Sequence, residues 1–202
     1  MGCYPFFDGI YVTWDDLADR PTRAESAPYT QGGRFHPHGD GGRNPVTWHT
    51  LANHGVVRRG PTLRTVAIFA DPADLAAWTL DNLNGYWRRW RERSTRPFSK
   101  AGLAALGSWS PAWGVLGVSR LHYTLATGGI ISKEGAGMYA LDAFPERWHR
   151  VVHECLRIRR GEDSPSLYRT PMTRRHEALA FIGMVIEDAR RFDRDGGMAP
   201  IH

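Results

Sequence analysis

Lysine is almost missing from this chain. Of its 26 basic residues only Lys100 and Lys133 are lysines, and the rest are arginines. Together with abundant alanine, glycine and tryptophan, that ratio reads as the codon bias of a GC-rich genome. The arginines are scattered, apart from a run at Arg88, Arg89, Arg91 and Arg93 that suits a solvated helix face. The net charge of +5 therefore predicts no nucleic-acid partner, since neither a basic stripe nor a recognisable module accompanies it. Cysteine is scarce as well. Cys3 and Cys155 stand alone and far apart, which excludes a disulfide framework and a CxxC metal knuckle. Cys155 is expected to be a small buried hydrophobe. No apolar run reaches the ~18 residues of a membrane helix. Met1 to Asp8 lack the basic start and long apolar stretch of a signal peptide. A soluble, cytoplasmic chain with no membrane partner is the expectation.

What is present is enough for a core. Over 202 residues the chain is 42% hydrophobic and 23% charged, which suits one ordinary domain or two small ones. Its character changes near residue 70. Residues 1–44 are rich in Gly, Pro, Asp and His. Gly9 to Thr13 is the clear strand candidate, and the glycine-rich stretch from Tyr29 to Asn44 reads as a loop. One or two strands are expected over residues 1–60. Pro45 opens a helix to about Val57, and Thr65 to Phe69 could be a strand or a single buried turn.

From residue 71 onward the pattern predicts a bundle of five or six helices. Pro72 opens a long helix to about Arg93, with Leu75, Trp78, Leu83, Tyr86 and Trp90 near one stripe. A helix from Pro111 to Thr127 places Val115, Val118, His122 and Leu125 on a packing face. Trp113, Gly117, Arg120 and Thr124 share a second face. Gly128-Gly129 closes that helix, and Ser132 caps the next, Lys133 to about Ala143. Pro145 opens another to Arg160. The last runs from Pro171 to Phe192, with Leu179, Ile182, Met184 and Ile186 on its core side.

Arg120 and Lys133 carry the chemistry. A lysine in the first turn of a helix faces the positive end of the helix dipole, a poor place for a cation unless an anion shares the site. Arg120 lies one helix earlier, across a tight Gly-Gly turn, so both cations can reach one cleft. Two charge-assisted hydrogen bonds to a phosphate would each contribute about 1.5–3 kcal/mol. Both residues could equally be ordinary surface groups. His36-Pro37-His38-Gly39-Asp40 has the spacing of a metal clamp but no third ligand fixed nearby. Trp87, Trp90, Trp109 and Trp113 suit packing better than an aromatic cage.

The stretch Val115-Leu116-Gly117-Val118-Ser119-Arg120-Leu121-His122-Tyr123-Thr124-Leu125-Ala126-Thr127-Gly128, with Ser132-Lys133-Glu134-Gly135-Ala136 and Trp148 to Arg160, resembles the helical C-terminal domain of the streptomycin/spectinomycin adenylyltransferases. These are aminoglycoside nucleotidyltransferases of bacterial antibiotic resistance. The resemblance implies that Arg120 and Lys133, thirteen residues apart as in the family, contact the ATP phosphates. Asp8 to Asp16 resembles the last core strand of the nucleotidyltransferase domain, which implies a general-base and Mg²⁺-binding role for Asp8. The organisation implied is a nucleotidyltransferase remnant over residues 1–70, partial α/β, and a helical domain over residues 71–202. The implied reaction moves AMP from ATP to a drug hydroxyl, with Mg²⁺ as cofactor, an aminoglycoside or aminocyclitol as small-molecule partner, and a monomeric enzyme.

Departures from the family pattern shape the expectation. The Gly-Ser and Asp-x-Asp motifs that open the catalytic core and bind two Mg²⁺ ions do not occur where the family has them. Gly107-Ser108 and Asp193-Arg194-Asp195 match by letters only. A truncated or inactive form is therefore expected. On the drug side, where Phe35, Ser110 and Trp113 stand as substrate-binding candidates, two acidic positions become Leu106 and Ser110 and a stacking Trp becomes Phe35. A Tyr packed near the adenine becomes Arg159. Streptomycin is a doubtful substrate on this reading and spectinomycin more open. The alternative is a non-catalytic helical module that binds a nucleotide or a partner chain.

Overall fold

A computed structural model describes residues 7–21, 26–39, 41–96 and 99–194, with residues 193 and 194 described by their backbone alone. The chain divides into two compact units, residues 1–78 and 79–202, with the division inside a helix. Taken together, the described elements match the expected class: mainly α, with a small β element near the start.

The first unit holds a three-stranded antiparallel sheet in the order β1-β2-β3. β1 (Gly9–Ile10) pairs with β2 (Tyr29–Gln31), which pairs with β3 (Arg34–His36). The sequence reading placed a loop over Tyr29 to Asn44 and at most two strands in this part; the sheet corrects both. The signal lies at Gly32-Gly33, whose φ values of 58° and 76° let a two-residue turn reverse the chain. The β1 candidate is also shorter than expected. Thr13 leaves it to cap α1 (Trp14–Ala18), its hydroxyl accepting the Asp16 N–H while the Asp16 carboxylate accepts the Thr13 N–H. Asn44 caps α2 (Pro45–His54), which buries Trp48 completely. Leu17 and Ala27 are also buried in this unit. The Thr65 to Phe69 run is not a strand. It follows a 3₁₀ turn at Leu63–Thr65, and the Phe69 N–H donates to the Leu17 carbonyl.

α3 (Pro72–Asn82) begins where Asp71 accepts the Ala73 N–H. It runs on through a π-helical turn at Leu83–Trp87 into α4 (Arg88–Thr95). A 3.6-residue period sets both Tyr86 and Trp87 beside Leu83. The wider turn keeps Trp87 buried and swings Tyr86 outward, 40% exposed. After the short α5 (Lys100–Ala104), α6 (Trp109–Thr127) forms the axis of the second unit. Its Val115, Leu116, Val118 and Leu125 are buried among α7 (Lys133–Ala143), α8 (His149–Arg160) and α9 (Pro171–Arg194). On α9 the core residues are Phe181, Ile182, Val185 and Ile186; Met184, expected inside, is half-buried. Cys155 is fully buried, and burial pushes its thiol pKa up. Small residues let the helices close. A Cβ on Gly137 would lie 2.5 Å from Leu156 Cδ2, and one on Gly117 would lie 2.6 Å from the Trp87 indole.

Candidate anion site of the helical unit

The α6–α7 connection sets the site. Gly128 ends α6 in the left-handed conformation, φ 69°, and its N–H reaches back to the Thr124 carbonyl. Ser132 caps α7 by accepting the Gly135 N–H at 3.0 Å, so Lys133 opens that helix. Arg120 turns toward the same connection, where its Nε donates to the Ile131 carbonyl at 2.8 Å. The last turn of α8 brings Ile158 and Arg159 alongside.

Together these elements enclose a cavity of about 100 Å³ lined by Trp109, Ala112, Trp113, Leu116, Lys133, Ile158 and Arg159. The Lys133 ammonium stands 5.8 Å from the Trp113 ring centre, a cation–π contact. Trp109, 68% exposed, stacks on Trp113 with centroids 5.6 Å apart. Burial lowers the Lys133 pKa, and the charges of Arg159 and Arg120 lower it further. Burial also lowers the Arg120 pKa.

These three cations have no carboxylate to offset them. Among the described residues none of Arg120, Lys133 and Arg159 forms an ion pair, whereas Arg157, Arg160 and Arg174 each do. Glu134, the neighbour of Lys133, is engaged by Arg160 at 2.8 Å. Like charges gathered at the positive end of a helix, partly out of water, are costly unless an anion joins them. The cavity is well below the ~300–1,000 Å³ that encloses a drug-sized ligand, and matches a phosphate-sized group better.

Of the expected pair, Lys133 lines the cavity with Trp113 as its wall, while Arg120 stands outside the lining, bonded to the Ile131 carbonyl two residues before Lys133. Arg159 joins Lys133 in the lining. The sequence reading treated Arg159 only as a replaced tyrosine, because a basic residue in the last turn of a helix is ordinary and nothing in the spacing ties it to Lys133. Ser110 is buried in the first turn of α6 and does not line the cavity. Asp8 and Phe35 belong to the first unit. Asp8 is exposed and its Oδ1 accepts the Gly32 N–H at 2.6 Å. Phe35 is 61% exposed and meets Tyr11 edge-on. Among the described residues no group of three His, Cys, Asp or Glu side chains could hold a metal, so the Mg²⁺ role considered for Asp8 finds no companion ligands there. His36 stacks on Tyr29 instead, and Asp40 lies outside the described residues. A larger cavity in the first unit, about 420 Å³ beside Tyr11, Thr13 and Ser26, has Asp16 as a lining carboxylate; Arg43 already pairs with it.

His122 lies on the packing face as expected, but it is more than packing. Fully buried, it bonds the Tyr139 hydroxyl through Nδ1 and the Asp188 carboxylate through Nε2, both at 2.7 Å. Burial lowers its pKa against the opposing pull of Asp188.

Residues 99–183 match the family model described as the aminoglycoside adenylyltransferase C-terminal domain. This segment is similar to that family's C-terminal domain. The match spans Arg120, Lys133, Arg159 and both tryptophans of the cavity, and residues 1–98 lie outside it. No curated protein gives a match to the chain. No helix among the described residues is long and apolar enough to cross a membrane.

Proposed function

We propose that the helical unit binds the phosphates of ATP through Lys133, Arg120 and Arg159, as part of adenylyl transfer to a hydroxyl of an aminoglycoside or aminocyclitol. The carrying observation is the pair Lys133 and Arg159 lining one cavity, with the Arg120 charge acting on Lys133 from the adjoining α6–α7 connection and no ion pair to any of the three among the described residues. In this reading Lys133 and the two guanidiniums neutralise the pyrophosphate as it leaves, and the indole of Trp109 offers a flat face for the base. Asp8 is the proposed acceptor of the hydroxyl proton. Mg²⁺, which the family's reaction generally uses, has no adequate ligand set among the described residues. The triphosphate charge therefore falls to the three cations.

The sign of the cavity also favours a narrower second reading. A polycationic drug such as streptomycin is repelled by Lys133 and Arg159, so the helical unit serves as the nucleotide side of the reaction. The 202-residue chain then binds nucleotide without turning over streptomycin, and the less densely charged spectinomycin is the better acceptor to try.

Calorimetric titration with pyrophosphate and with ATP tests the first reading. Binding that Lys133→Gln and Arg159→Gln each weaken about tenfold or more is expected, the loss of one charge-assisted contact. No binding, or binding indifferent to both substitutions, overturns it. Pyrophosphate release in the presence of ATP, Mg²⁺ and each drug tests the second: turnover of streptomycin by the chain alone would remove it.

A further inference from the structure

Lys133 is one of two lysines in the protein, and the two sit in opposite settings. Lys100 is exposed at the start of α5. Lys133 is half-buried against the Trp113 ring and shares its cavity with Arg159. The Arg120 charge acts on the same amine. Two guanidiniums beside an amine do two things. They disfavour its protonated form, which leaves more of the nucleophilic free base. They also collect any phosphate-bearing reagent at the spot where that amine stands.

We propose that Lys133 is a covalent modification site for acyl phosphates: Arg159, which lines the same cavity, holds the reagent's phosphate, the Arg120 charge beside the cavity favours its approach, and the Lys133 amine takes its acyl group. The free amine attacks the carbonyl carbon and a C–N bond forms. The C–O bond to phosphate breaks with its electron pair remaining on the phosphate oxygen. The proton lost by the amine leaves with phosphate or solvent. No oxidation state changes, and the acyl phosphate is the one co-reactant.

The consequence is regulatory. An amide at Lys133 is neutral, so the modified site keeps two cations of three. It loses the ammonium–indole contact and weakens for anions by about tenfold or more. A cell rich in acyl phosphates would thereby silence the site without touching the fold. This proposal rests on the phosphate-binding reading above, and its test separates the two.

The probe is acetyl phosphate, applied to the full chain, with acetylation at Lys133 and Lys100 compared by peptide mass spectrometry. Lys100 serves as the internal reference in the same molecule. Lys133 should be acetylated at least fivefold faster than Lys100. The preference should fall when pyrophosphate is added and in Arg159→Gln. Calorimetry with pyrophosphate is run on the same preparation. Equal rates at the two lysines, with pyrophosphate still binding, overturn the modification site and leave the phosphate site standing. Equal rates with no pyrophosphate binding remove both. A preference that saturating pyrophosphate leaves intact also overturns the proposal, because capture of the phosphate is its basis.

Discussion

The ammonium of Lys133 stands 5.8 Å from the centre of the Trp113 ring, and Trp109 stacks on that ring within the same cavity wall. A charge for a phosphate and a flat apolar face for a base are thus adjacent. The arrangement is anchored from behind. Trp113 packs against Trp87 at 4.4 Å and Trp90 at 5.5 Å, so its plane is set by the helical core. Trp109 is by contrast mostly solvent-exposed, free to meet a ligand.

Trp109→Ala should therefore separate base from phosphate. Stacking of a base on an aromatic side chain contributes about 1–3 kcal/mol. The variant should bind ATP about fivefold or more weakly while binding pyrophosphate as the parent does, and its melting temperature should change little. Calorimetry with both ligands checks this. Equal loss for the two ligands would mean that Trp109 shapes the cavity rather than the base subsite.

Anion binding should weaken in mild alkali. Burial, reinforced by Arg159 and Arg120, holds the Lys133 pKa below the ordinary lysine range. The ammonium therefore begins to lose its proton earlier than a solvated lysine would, and affinity for pyrophosphate should fall as pH rises through that titration. Lys133→Arg keeps a charge that does not titrate below about pH 12. It should bind pyrophosphate with a flat pH profile between about pH 7 and pH 10. A parent profile as flat as that of the arginine variant would show that Lys133 does not meet the anion.

Much of this was legible in the sequence, and the misses have physical causes. The Gly128 stop, the Ser132 cap and the Pro-opened helices all follow local chemistry, so α6, α7 and α9 fall close to their expected bounds. The proximity of Arg120 to the start of α7 was legible because one tight connection joins α6 to α7. That of Arg159 was not, since only the packing of α8 on α6 and α7 brings it to the cavity. The β2–β3 hairpin hid in a stretch whose glycines and histidines mask its alternation; the Gly32-Gly33 turn was the available clue. Tyr86 left the expected stripe because the π-helical turn at Leu83–Trp87 swings it outward, while Trp87 packs as expected. For His122, periodicity gave the face but not its partners, which come from α7 and α9.

Gly117 tests how tightly the tryptophan cluster fixes the site. An alanine Cβ there would come within 2.6 Å of the Trp87 indole, which is rigid and held by Trp90 and Trp113. Overpacking of this kind costs about 1–3 kcal/mol, while Gly→Ala in a helix returns about 1 kcal/mol of propensity. Gly117→Ala should on balance lower the melting temperature by a few degrees. An unchanged or raised value would mean that Trp87 can move aside.

The second unit should also owe much of its acid sensitivity to Glu154. This carboxylate is fully buried, yet it receives Arg157 through two N–H donors at 3.0 Å, Ser166 at 2.7 Å, the Leu167 N–H at 3.0 Å and Arg174 at 3.3 Å. It ties α8 to α9 and to the segment between them. Burial alone would raise its pKa, but the bonds from Arg157, Leu167 and Ser166 outweigh that and hold it at about 2, against an ordinary 4.5. A folded pKa below the unfolded one means that the unfolded chain binds the proton first as pH falls. The stabilisation, about 3 kcal/mol, is thus complete above about pH 4.5 and lost progressively toward pH 2. Glu154→Gln removes the charge while keeping the shape and leaves Arg157 and Arg174 unpaired, a loss of about 3–5 kcal/mol at neutral pH. Urea denaturation of parent and variant at pH 7 and near pH 3 should show a wide stability gap that narrows in acid. A gap of the same size at both pH values would mean that the carboxylate's charge is not what ties α8 to α9.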